Sequence, residues 1–157
     1  MPLSGCGGSG ASSTQDSSAP PAEACSYRAS DKLAACIVLK PVVYAASAPT
    51  AQAGELQVGG VAAVSPLVVG LTYYDSDSPE WEPSGEWIIY NRVFRPKGAE
   101  RVVSGYNPAT GAKWIAMFST SGGREIKNGR VYYNHTESAG TTRRSIAIDG
   151  TDNRREP

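Results

Sequence analysis

The chain is short of the residues that usually build a core or a catalytic centre. Leu, Ile, Val and Phe number 6, 7, 12 and 2 among 157 residues, a share that would suggest disorder in a strongly charged chain. Net charge is zero, however, and eight Tyr and three Trp supply bulk. Long apolar runs are missing too, and none approaches the ~18 residues of a membrane-spanning helix. With 15 basic against 15 acidic groups there is no basic excess, which disfavours a general nucleic-acid binder. The one histidine, His135, would have to serve any Ser-His-Asp or Cys-His arrangement, and no Gly-x-Ser-x-Gly elbow accompanies it. It reads as a surface residue at a strand end. Phosphate-loop and dinucleotide fingerprints are absent. Without a Cys-x-x-Cys pair or a second His, zinc is disfavoured. Asp75-x-Asp77 lacks the Gly and distal Glu of a calcium loop. The expectation is a chain with no cofactor, no metal and no nucleic-acid partner, and not an enzyme.

Composition divides what remains. Residues 1–24 are Gly, Ser, Ala and Pro with a single large aliphatic, Leu3, too little apolar area to offset backbone entropy, so they read as a flexible tether. Residues 25–150 hold the aliphatic and aromatic runs and read as one β-rich domain, while polar residues 151–157 are expected to fray. Charge is uneven: three basic and eight acidic groups in 1–82, twelve and seven in 83–157. Such halves pair within the fold, pair between molecules, or are simply solvated.

The fold class reads as mainly β, an antiparallel sheet of short hairpin-connected strands. Runs rich in Val, Ile, Tyr and Trp predict strands at 42–45, 55–64, 67–74, 86–94, 100–105, 112–119, 130–135 and 143–148. Asn107-Pro108-Ala109-Thr110-Gly111 reads as a hairpin loop and Asn128-Gly129 as a turn with positive φ. One short helix is expected over 31–39, with Ser30 as N-cap, Asp31 in the first turn and Pro41 beyond the end. That helix would make the fold α+β.

Leu3-Ser4-Gly5-Cys6 resembles the lipobox of bacterial lipoproteins, and a Gly/Ser/Pro-rich tether follows it. The resemblance implies lipidation at Cys6 and an envelope membrane. Gly7, where inner-membrane retention would use Asp, implies the outer one. Cys25 and Cys36 are then an even pair. In an oxidising compartment they would join and close a loop of about 12 residues, worth about 2.8 kcal/mol by chain entropy. Two buried thiols are the alternative.

Ser78-Pro79-Glu80-Trp81-Glu82-Pro83-Ser84-Gly85-Glu86-Trp87-Ile88-Ile89-Tyr90 resembles the opening of a TolB-like β-propeller repeat, Ser-Pro-x-Trp-Ser-Pro-Asp-Gly followed by an apolar strand. It departs at Glu82 and Ser84, where the family has Ser and Asp. Residues 145–155, with Asp149-Gly150, resemble the closing strand and turn of the same repeat. The resemblance implies blade-like sheets. At ~40–45 residues per blade the chain has room for two, or three at most, so convergent turn chemistry or a lone blade-like sheet is expected rather than a ring closed by several copies.

Two surfaces follow. Arg92, Arg95, Lys97 and Arg101, at and beyond the end of a strand, form a basic face for an acidic protein partner. Tyr73, Tyr74, Trp81, Trp87 and Tyr90, beside the acidic loop of Asp75, Asp77, Glu80, Glu82 and Glu86, form the alternative, a sugar-stacking or hydrolytic surface. The favoured expectation is a monomeric, non-catalytic envelope lipoprotein, lipid-anchored through Cys6. It presents its β domain to an envelope protein or to peptidoglycan and is an antigen if it faces outward. The alternative is a small periplasmic carbohydrate binder or hydrolase.

Overall fold

The computed structural model describes residues 25–44, 51–95, 101–116 and 121–157. The tether with Cys6, and Lys97, lie outside the described residues. The described residues form three antiparallel sheets. The first contains β1 (Cys25–Tyr27), β2 (Ala34–Val42), β3 (Ala51–Val58) and β4 (Val61–Val64). The second contains β5 (Leu67–Val69), β6 (Thr72–Trp81), β7 (Ile88–Arg95), β8 (Arg101–Tyr106) and β9 (Lys113–Ile115). The third contains β10 (Ser121–Lys127), β11 (Arg130–Glu137), β12 (Gly140–Ala147) and β13 (Arg154–Arg155). Every strand lies beside its neighbours in sequence, so each sheet is an up-and-down meander. The mainly β, hairpin-connected class is as expected, but the lone sheet is three.

No helix occurs among the described residues. The helical signals at 30–32 produce one turn only: Lys32 N–H donates to the Arg28 carbonyl, and the Asp31 carboxylate accepts from Leu33 N–H. Lys32 then takes a φ of 64°, which ends the turn, and the chain extends as β2. Cross-strand pairing overrides the helix propensity of Leu33, Ala34 and Ala35, because Ala35 to Val42 pair along β3. Pro41 is tolerated because, among the described residues, β1 pairs only with Ala34–Cys36 and leaves one edge of β2 open at Pro41. The strand expected at 42–45 is the end of this one; Val43 and Tyr44 lie beyond it.

Glycines divide two runs that read as single strands. Gly59 and Gly60 adopt φ of 60° and 81° between Val58 and its partner Val61, making a two-residue hairpin of 55–64. Gly70, at φ 59°, does the same between Val69 and its partner Thr72. The Asn128-Gly129 turn is as expected, both residues at positive φ with Lys127 paired to Arg130. The 107–111 hairpin loop forms too, with the Asn107 side chain accepting from Ala109 N–H and Thr110 N–H. Within the tail expected to fray, β13 pairs with Arg144 and Ser145.

The second sheet lies between the other two, and alternation along β7 gives it two cores. Ile88 and Tyr90 pack with Trp81 against Ala35, Ile37, Leu56 and Val64 of the first sheet. Trp87 and Ile89 pack with Val103 and Ala116 against Val131, Tyr133 and Ile146 of the third. The first contact is close: a Cβ on Gly54 would lie 2.1 Å from the Ser76 carbonyl oxygen. Cys25 and Cys36, opposite each other in the β1–β2 register, are joined as a disulfide.

Candidate binding surfaces

Asp75, Asp77 and Glu80 of the segment that read as an acidic loop lie on β6, while Arg92 and Arg95 lie at the end of β7 and Arg101 at the start of β8. Because β6, β7 and β8 are antiparallel neighbours, the two charge groups meet side by side. Arg95 pairs with Asp75 at 3.3 Å and Arg101 with Asp77 at 3.4 Å. Asn91 donates to Asp77 at 2.9 Å and accepts from Arg124 of β10 at 2.9 Å. Arg124 also donates to the carbonyls of Ser78 and Ile89 and lies 3.6 Å from Glu80. Arg92 is half-buried, giving one nitrogen to Ser76 Oγ and another to the Ser65 carbonyl, each at 3.0 Å. It thereby fastens β7 to the connection leaving the first sheet.

Desolvation shapes this lattice. Burial pushes the Asp75 carboxyl up, and the Arg95 guanidinium only partly opposes it. Burial likewise lowers the Arg92 and Arg124 guanidinium groups from their ordinary range. Arg95 and Arg101 keep 39% and 49% of their side chains exposed while paired.

The five aromatics do not form one surface. Trp81 and Tyr90 sit in the core toward the first sheet and Trp87 in the core toward the third. Tyr73 rests on Tyr44 with ring centroids 5.0 Å apart, and Tyr74 meets Phe94 edge-on at 4.6 Å. Burial pushes the Tyr90 phenol up to about 12. Trp81 is held by its indole N–H on the Leu33 carbonyl at 3.0 Å, by Ser26 at its backbone N–H, and by the Arg28 guanidinium 4.9 Å above its ring.

Glu82 closes the turn between β6 and β7. Its carboxylate accepts from the backbone N–H groups of Ser84, Glu86 and Trp87 and from the Ser84 hydroxyl. Burial works against its charge, but these bonds prevail and hold it below the usual carboxylate range. Beyond the turn a hollow of about 320 Å³ opens between the second and third sheets, with Glu86, Trp87, Gly129, Ile148 and Asp149 in its wall. A second hollow, about 290 Å³, lies between the first and second sheets and is apolar, lined by Leu33, Val58, Val61, Ala63, Tyr106 and Pro108. His135, on β11, faces Glu137 at 3.4 Å.

Comparison with family models, curated proteins and solved structures finds no match.

Two residues that organise these surfaces escaped the sequence reading. Arg124 sits in a Gly-rich stretch that gave no strand signal. Trp114 was legible in principle, because it stands directly across from Gly105 in the β8–β9 register. An aromatic covering a strand glycine is a recurrent cross-strand device. Trp114 also lies against Gly150 and donates its indole N–H to the Ile148 carbonyl at 2.9 Å, so it clasps the second sheet to the third.

Proposed function

We propose that this chain is a cell-envelope lipoprotein, anchored through Cys6 at the outer membrane, whose β-rich domain is a non-catalytic binding module for an envelope protein or peptidoglycan. The observation that carries the reading is the Cys25–Cys36 disulfide at the first described strand, since such bridges persist in oxidising compartments. A lipobox-like Leu3-Ser4-Gly5-Cys6 and a Gly/Ser/Pro tether stand directly before it. Three meanders stacked face to face are how propeller blades pack, which supports taking the Ser78–Tyr90 resemblance as architectural.

The hydrolase or sugar-binding alternative draws less support. Trp81, Trp87 and Tyr90 are divided between two cores, Asp75 and Asp77 are tied to Arg95 and Arg101, and Glu82 is occupied by turn amides. Arg95 and Arg101, at the exposed rim of the lattice, and the apolar hollow beside Tyr106 offer contacts to a protein instead. In intact cells, cross-linking of the anchored protein is expected to give a discrete adduct with a second envelope component. Adducts containing only further copies of the chain would contradict the binding-module reading. So would peptidoglycan or glycan hydrolysis lost on Glu80→Gln.

A further inference from the structure

We infer that the β5–β6 hairpin is a membrane-inserting tip, whose apolar end enters the interfacial layer of a lipid bilayer. Nine large hydrophobic side chains are exposed among the described residues, and four of them stand together at Leu67, Val68, Val69 and Leu71. They are 54%, 40%, 51% and 73% exposed. Single exposures need no explanation, but a cluster marks a contact surface. Residues 56–74 are the longest stretch of the chain without a charged side chain, and 66–71 carry no polar side chain at all. The hydroxyl nearest the turn, on Thr72, already donates to the Val69 carbonyl at 2.9 Å.

Three features favour a lipid surface over a protein as the occupant. The tip is open: Gly70 makes the turn at φ 59°, and a Cβ placed there would meet nothing within 4 Å. Without charge or a free hydroxyl it offers no directional contact of the kind that fixes a protein partner, whereas a fluid bilayer needs none. Tyrosines and a guanidinium stand within two rows behind it. Val69 pairs with Thr72 next to the turn, then Val68, Tyr73 and Arg95 form one cross-strand row, and Leu67, Tyr74 and Phe94 the next. Tyr side chains and the long stem of a partly exposed Arg are suited to the headgroup level. The backbone then sets the depth. β5 pairs only with β6 among the described residues, and Pro66 directly before it guards the open edge against another strand. Open N–H and C=O groups are excluded from hydrocarbon, but water and headgroups satisfy them in the interface. Three residues span ~10 Å, within the ~5–10 Å that interfacial segments enter. The insertion is shallow and weak, and it does not depend on the anchor proposed at Cys6.

Flotation of the full chain with phosphatidylcholine vesicles at millimolar lipid tests this, with Cys6→Ser introduced to remove the tether thiol. The chain is expected to float, with equal recovery at low and high salt, because apolar insertion is not screened. Leu71→Asp should cut recovery about fivefold or more with an unchanged circular dichroism spectrum. Leu71→Trp should retain it and add an indole emission that shifts to the blue when vesicles are present. If Leu71→Asp does not fold, that shift decides instead. Failure to float with any vesicle, recovery indifferent to Leu71→Asp, or binding confined to anionic vesicles at low salt would overturn the inference. So would an oligomer that Leu71→Asp dissolves in a chain that does not float, since the tip would then be a protein contact.

Discussion

Glu82 and Ser84 exchange acid and hydroxyl relative to the Ser-Pro-Asp-Gly turn they resemble, and the turn still closes, because the Glu82 carboxylate accepts from the N–H groups of Ser84, Glu86 and Trp87. Glu82→Gln keeps the shape but sets an NH₂ group among N–H donors, so it should cost about 1–3 kcal/mol at neutral pH. The folded carboxyl lies below its ordinary range. Its contribution is thus present above the unfolded pKa and lost as pH falls through the folded one. Urea titrations of both proteins should show a deficit that narrows in acid. Asp75 has the opposite sign. Its folded carboxyl is raised by burial beyond what Arg95 offsets, so the charged form is a burden once pH climbs past the unfolded value. Asp75→Asn should be neutral or stabilising at neutral pH, with no difference in acid, as read from melting temperatures across pH.

At the scale of elements, the hairpins whose turns carry Asn-Gly or Asn-Pro-x-x-Gly were legible, because those residues specify their own backbone. Gly59-Gly60 was legible too by the same rule, yet the uninterrupted apolar run around it masked the turn. The helix at 31–39 failed for a different reason. Its cap chemistry is real and makes one turn, but Ala35 and Cys36 lie in register with both β1 and β3, and Ile37 and Val38 with β3, which no local signal announces. The ion lattice was half-visible: opposite charges were evident in two stretches, but only the antiparallel pairing of β6 with β7 and of β7 with β8 brings them together. Gly54 shows how tightly the elements depend on one another. Gly54→Ala would drive a methyl into the Ser76 carbonyl, and backbone cannot swing aside as a side chain does. A loss of about 1–3 kcal/mol is expected from chemical denaturation. Reducing Cys25–Cys36 should cost about 2–3 kcal/mol on the chain-entropy scale. The loss should concentrate in β1, whose amides at Ser26 and Tyr27 should exchange faster.

At the scale of the molecule, a chain poor in Leu and Phe reaches two cores by stacking narrow sheets, so that β7 serves both with alternate side chains. Trp81 and Trp114 act as the clasps, one toward each outer sheet. This arrangement places Trp81, Trp87 and Tyr90 in the interior and leaves the paired Arg95 and Arg101 at the surface. The proposed envelope role requires an anchor at Cys6, ahead of the disulfide-fastened stack. Metabolic labelling with a fatty-acid analogue, in cells expressing the complete gene as wild type or Cys6→Ser, tests that requirement most directly. Label is expected on the wild type alone, with the variant released into the soluble periplasm; equal labelling of both, or of neither, would contradict the anchored-module reading.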